Sequence, residues 1–262
     1  MPPARLYAPP ALSLRFVPVW RRNFLVWRKL ALPSLLANLA DPLLMLFGLG
    51  YGLGAVIGTL QGTSYFAFLA GGFLASSTMY AATFEALFSA FSRMHVQRTW
   101  EAIVNAPMDL EDVLAGEWLW AATKAFAAGV CMLAVVSALG FAQWPMALGA
   151  LAAVALVGLA FAAVGLAVNA LATGYDFFSY YLTLVLTPMM MLSGVFFPVE
   201  KLPEALQAVA VALPLYHGIE LARPLLAGHL PQGAAAHAAV LAAYAVAGYY
   251  AATVLTRRRL LK

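Results

Sequence analysis

The chain has 262 residues, of which 64% are hydrophobic and only 10% charged, with a mean hydropathy of +0.85. A soluble domain carries about 25% charged residues, so a water-soluble globule is excluded. The balance is basic, 15 Lys and Arg against 11 Asp and Glu, but these charges flank apolar runs, which points to membrane anchoring rather than nucleic acid.

In chain order, residues 1–10 (MPPARLYAPP) read as a disordered tail. The stretch from Ala11 to Leu32 is apolar and basic, with Trp20 and Trp27. It suits an amphipathic helix lying in the membrane interface, rings at headgroup depth and arginines outward. A plain basic flank of the first span is the alternative. A spanning helix needs about 20 mostly apolar residues, and six stretches qualify: 35–57, 65–90, 118–141, 146–171, 177–197 and 234–255. Lipid cannot satisfy open backbone groups, so these must be helices. The expected fold is an all-α integral membrane protein with six transmembrane helices, its membrane domain spanning 35–255 between a 1–34 tail with interfacial helix and a basic 256–262 tail.

Orientation follows from the positive charges. Twelve lie before the first span, between spans two and three, or after the last; only Lys201 and Arg223 lie on the other side, and Lys124 falls inside the third span. Both termini are therefore expected in the cytoplasm, and the membrane itself, its lipids included, is the first partner.

Between spans two and three, Val96, Trp100, Ile103 and Val104 recur at helical spacing; Pro107 breaks that helix, and Asp109 with Asp112 can cap a new one. A tidy connection and a docking element are both compatible with this pattern. Ionisable groups inside spans are costly and are read as functional first. Asp41 in the first span and Glu85 in the second are thus candidates for a substrate path, with an interfacial position beside Pro42 and a satisfied interhelical hydrogen bond as their respective alternatives. Lys124 can snorkel to the headgroups. After the fifth span the chain breaks at Phe196-Phe197-Pro198, and a second apolar piece too brief to cross follows.

Chemistry on the chain is sparse. No Gly-Lys pair exists, so there is no phosphate-binding P-loop, and neither a zinc-helix motif nor a serine elbow occurs. The histidines, His95, His217, His229 and His237, offer no metal spacing, and Cys131 has no partner for an internal disulfide. No catalytic residue and no metal site is expected.

The segments RTWEAIVNAPM, LEDVLAGEW, GYDFFSYYLTLVLTPMMMLSGVFFPVEKLP and LPLYHGIELARPLL together resemble the ABC-2 class of exporter permeases, nearest the nodulation-type lipo-oligosaccharide export permeases. The resemblance runs from about Arg21 onward. It implies a permease in the bacterial inner membrane that pairs with a second copy of itself and with two copies of a separate ABC-type ATPase. ATP and Mg would bind that ATPase, and this chain would hold no cofactor and be no enzyme. It further implies a coupling helix at roughly Gln97–Asn105, with Trp100, Ile103 and Val104 as an apolar docking face, Arg98 and Glu101 as polar contacts, and Pro107 as its end. Between spans five and six it implies re-entrant outer helices holding Pro198, Pro203, Pro214, His217 and Glu220, which would roof the path, with Phe196 and Phe197 beside it. An outer loop that never enters the membrane is the alternative. The implied cargo is an amphiphile: lipo-oligosaccharide, glycolipid or polysaccharide. A hydrophobic drug exporter, an integral membrane enzyme and a non-transporting scaffold are the rival readings, and the enzyme reading requires Glu85 and Asp41 to share a pocket.

Overall fold

The computed structural model describes residues 6–11, 13–104 and 108–260. The start of the tail, Pro107 with its expected helix break, and Asn105 at the end of the expected coupling helix lie outside these residues, as does the side chain of Val104.

Helix α1, Phe16–Trp27, tolerates Pro18 because the N–H it lacks would be unpaired in a first turn anyway. It buries Val19 and Asn23 against α5, Leu110–Ala138, where Gly116 makes room: a Cβ there would meet Val19 at 2.6 Å. A single 3₁₀ turn, Arg28–Leu30, leads into α2, Ala31–Gly52, which the turn Gly54–Ile57 extends. A short hairpin follows, with β1 (Thr59–Leu60) antiparallel to β2 (Thr63–Ser64). Its turn residues Gln61 and Gly62 both have positive φ, 50° and 78°, the backbone that a tight hairpin requires.

Helix α3, Tyr65–Phe84, starts with the Ser64 hydroxyl accepting the Ala67 N–H and continues through two wide turns, Glu85–Ser89 and Ser92–Val96. The short α4, Thr99–Val104, comes next. At the start of α5, the Asp112 carboxylate accepts the Asp109 N–H at 3.2 Å, the reciprocal cap that the sequence announces. Then come α6 (Ala150–Leu171), α7 (Tyr175–Tyr181), α8 (Thr187–Leu192), α9 (Glu204–Ala212), α10 (Pro214–Leu226) and α11 (Ala234–Leu260).

Helix α3 is the axis of the bundle. Of its most apolar window 89% is buried, against 17% for the helix containing α1 and α2. The surrounding helices approach closely because small residues meet. A Cβ on Gly129 of α5 would come within 2.3 Å of Val154, and one on Gly248 of α11 within 2.9 Å of the Val164 backbone nitrogen. The abundance of alanine and glycine in α6 and α11 is thus put to use as close packing.

Among the described residues, five helices are long and apolar enough to cross a membrane: Phe16–Ile57, Tyr65–Val96, Leu110–Ala138, Met146–Leu171 and Ala234–Leu260. The bent pair Glu204–Ala212 and Pro214–Leu226, kinked by 85°, brings the number to six if it counts as one span. The fifth expected span, 177–197, is shorter than its apolar run. The helix ends at Leu192, about 27 Å after Tyr175, and Gly194 at φ +85° turns the chain away. The helix of the third span starts at Leu110, where the Asp109 cap places it, and carries Glu111, Asp112 and Glu117 without a break into the apolar run that begins at 118.

Candidate functional site

Where α3 widens, side chains from three elements form one buried ionic cluster. Glu85 and Arg93 come from the end of α3, Glu117, Trp120 and Lys124 from α5, and Trp100 from α4. Side chains on a helix lean toward its N-terminus, so Arg93 runs back along its own helix toward Glu85. Its guanidinium donates to Glu85 Oε1 at 2.9 Å and, through Nε, to both Glu117 oxygens at 2.9 and 3.0 Å. Lys124 Nζ donates to Glu85 Oε2 at 2.8 Å, and Trp120 Nε1 to Glu85 Oε1 at 2.8 Å. Trp100 Nε1 completes the set, donating to Glu117 Oε1 at 3.2 Å. Glu85 and Glu117 are only 4% and 1% exposed. Buried carboxylates persist only when paired and hydrogen-bonded, and each of these two accepts from a cation and from an indole N–H.

This geometry changes the assignment of several expected residues. Glu85 is a saturated ionic tie between α3 and α5. Lys124 does not snorkel; it is the cation that Glu85 requires. Trp100 is 2% exposed and turned inward, so it forms no part of an outward docking face. Arg98, just before α4, and Glu101 within it are exposed and Ile103 is half-buried. Arg98 has φ 49°, and this left-handed residue sets α4 off from the end of α3. Val96 belongs to the wide turn before that break rather than to α4.

Alongside the cluster lies a cavity of about 190 Å³ whose walls include Arg22, Asn23, Trp27, Glu85, Arg93 and Lys124. Asp41 is not among its walls. It sits on the exposed side of α2, about 15 Å along the helix from Ala31, so the shared pocket demanded by an enzyme reading is not formed.

At the opposite end of the bundle, α9 and α10 meet at Leu213. Pro203 precedes α9 and is exposed, whereas Pro198 and Pro214 are buried. Phe196 packs edge-on to Phe73 of α3, ring centroids 5.8 Å apart, and its carbonyl accepts the Tyr65 hydroxyl at 3.2 Å. Phe197 and Glu220 are half-buried. Arg223 reaches back to α3, donating to Phe68 O at 3.2 Å and Gly194 O at 2.6 Å, with its guanidinium 3.7 Å from the centre of the Phe68 ring.

His217 Nε2 lies 2.9 Å from Val211 O, and its Nδ1 is 2.8 Å from Nδ1 of His237 on α11. A carbonyl can only accept, so His217 carries its proton on Nε2 and accepts from His237. The two histidines are 20 residues apart in the chain, and only the fold joins them. Among the described residues no group of three or more His, Cys, Asp or Glu could hold a metal ion.

The cluster's other half, Glu117 with Arg93 and Trp120, does not stand out in the sequence. Its one signal is an acidic residue, Glu117, at the edge of an apolar run, on the helix that the Asp109 cap starts.

Comparison with known proteins supplies the family. Residues 15–226 match the family model described as ABC-2 type transporter. The chain is 50% identical over 253 residues to nodulation protein J of Rhizobium leguminosarum bv. trifolii, covering 97% of each chain. It is 48% identical to nodulation protein J of Rhizobium meliloti over 96% of each chain, and 48% identical to that of Bradyrhizobium diazoefficiens over 97% of each.

Proposed function

The chain belongs to the ABC-2 type transporter family, and from that premise we propose that it is the permease subunit of an exporter worked by a separate ABC-type ATPase. Family and helices together make it a multi-pass membrane transport protein. Its cargo, on this reading, is a lipid-linked or amphiphilic molecule such as a lipo-oligosaccharide, glycolipid or polysaccharide, moved outward across the bacterial inner membrane. Kinship with nodulation proteins supports that class; a hydrophobic drug is the second reading, since apolar spans suit both. The chain crosses six times with both termini inside, a reading supported by the charge count, in which the short helical stretch Tyr175–Leu192 is the fifth crossing and the bent pair α9–α10 is re-entrant on the outer side.

One observation carries the coupling: α4 is tied to the spans by Trp100, through Glu117 and Arg93 to Glu85 and Lys124. A push on a helix held only by flexible loops would dissipate. A push on α4 moves a buried charge cluster that cannot separate without stranding ions, so α3 and α5 move with it. Two ATPase subunits, which hold the ATP and Mg, would deliver that push through Arg98, Glu101 and Ile103. A second copy of this chain would complete the path. The outward side of α2 supports such pairing, since Leu44, Phe47 and Tyr51 are exposed and a Cβ on Gly48 or Gly52 would meet nothing within 4 Å.

The test is copurification with the ATPase and export by reconstituted vesicles. Arg98→Glu with Glu101→Arg should lower ATPase retention about tenfold or more, by losing charge-assisted contacts worth about 1.5–3 kcal/mol, with thermal stability unchanged. Retention and export at the level of the parent protein would refute the coupling assignment.

A further inference from the structure

The cavity beside the charge cluster is built for an anion. Three cations border the cluster, Arg22, Arg93 and Lys124, against two carboxylates, Glu85 and Glu117. Arg93 and Lys124 are fully engaged by those carboxylates. Arg22 is the surplus charge: among the described residues no carboxylate lies within 4 Å of it. Among the same residues its hydrogen bonds are two long ones to neutral oxygens, Asn23 Oδ1 at 3.3 Å and Thr99 Oγ1 at 3.4 Å.

The second observation is independent of charge. Asn23 is 4% exposed and its Nδ2, buried in the cavity wall, has no acceptor among the described residues. Its Oδ1 faces Arg22, which fixes the amide so that the N–H₂ end needs an acceptor elsewhere. A buried amide without a partner is costly, and the half-buried Arg22 guanidinium beside it has no counter-ion among the described residues. One group satisfies both: a phosphate, with several acceptor oxygens for a planar donor fork and an amide.

The surroundings say where such a phosphate comes from. Trp20, Phe24, Trp27 and Trp120 stack and abut around the same corner, with centroids 5.5 to 6.5 Å apart. Trp20 and Trp27 keep their indole N–H groups satisfied by Thr123 and Ser34. Rings of this kind gather at headgroup depth. The cavity also lies where the apolar stretch 65–90 ends and the stretch 118–141 begins, and Val26, which lines it, is 61% exposed. We propose that this cavity is a binding site for the phosphate headgroup of an anionic phospholipid of the cytoplasmic leaflet, held by Arg22 and Asn23 between α1 and the Glu85, Arg93 and Lys124 side of the cluster. The leaflet rests on the topology proposed above; the site itself does not.

Bound there, the phosphate balances the cluster's surplus charge and pins α1 to α3 and α5. The lipid then belongs to the same mechanical unit as α4.

The full chain, purified in detergent and titrated with phosphatidylglycerol or phosphatidylcholine, tests this by native mass spectrometry. The anionic lipid should be retained preferentially. Arg22→Gln and Asn23→Asp, the latter placing a carboxylate where the phosphate would sit, should each lower its retention about fivefold, the effect of losing one hydrogen bond to the phosphate. Asn23→Asp nearly preserves shape and decides the matter if Arg22→Gln fails to fold. Arg21→Gln, on the exposed side of α1, should leave retention within about twofold. Equal retention of the two lipids, or an equal loss with Arg21→Gln, overturns the proposal. Displacement by excess inorganic phosphate supports a site that recognises phosphate alone; resistance to it supports one that also needs the lipid's glycerol and chains. Neither export nor ATPase binding enters the readout, so failure here is distinguishable from failure of the exporter reading.

Discussion

The two ends of the bundle bury basic side chains in opposite ways. At the α4 end, Arg93 and Lys124 meet carboxylates, so each ion depends on another from a different element. At the α10 end, Arg223 has no carboxylate within 4 Å among the described residues; it is held by two backbone carbonyls and the Phe68 ring. Paired ions make a network that resists separation, because breaking one pair leaves an uncompensated charge in a dry place. A guanidinium on carbonyls and a ring instead acts as a local clasp, joining α10 to α3 and to the turn at Gly194. The first arrangement suits an element that transmits force, the second an element that must hold its place.

The largest expected effect concerns which side of the membrane each end faces. In a chain with Cys131→Ala, Arg98→Cys should react with an impermeant thiol reagent only from the cytoplasm, and Lys201→Cys only from outside. Both positions are exposed. Labelling of both from one side would break the comparison outright.

Glu117→Gln comes next. It leaves Arg93 with a single carboxylate and removes the charged acceptor of Trp100, which should cost about 3–5 kcal/mol, read as thermal unfolding in detergent. Arg223→Met strands no opposite charge; it leaves two carbonyls without this donor and should cost only about 1–2 kcal/mol. Equal losses for the two substitutions would mean that both ends are held by the same physics, and the contrast would fail.

The apolar runs, the turn at Gln61-Gly62 and the Asp109–Asp112 cap are legible in the sequence because each is local. A run of about 20 apolar residues, a turn needing positive φ or a side chain bonding a backbone N–H three residues away is complete within its own window. The bend between α9 and α10 is local too. Leu213 precedes Pro214 and takes an extended backbone, φ −81° and ψ 134°, so the helix that ends at Ala212 cannot run on into the next.

The ionic cluster is legible only in pieces. Glu85 and Lys124 stand out because charges inside apolar runs are rare. Arg93 counts in the sequence only for its sign, and Glu117 passes for an ordinary polar residue between the Asp109 cap and the apolar run. The family resemblance puts Trp100 on an outward docking face, whereas helical spacing marks only an apolar side without saying what covers it. Asn23 gives no signal, since an amide in a basic flank is ordinary until its burial is known. The sequence by itself determined that this chain lives in a membrane, where its helices lie and which charges flank them, because hydropathy and local backbone chemistry need no distant partner. Tertiary structure alone decided that Glu85 meets Arg93 and Lys124, that His217 meets His237, and that Arg22 and Asn23 face a cavity. Those meetings join residues on different helices or turns, and only the packing of small side chains between helices brings them within hydrogen-bonding reach.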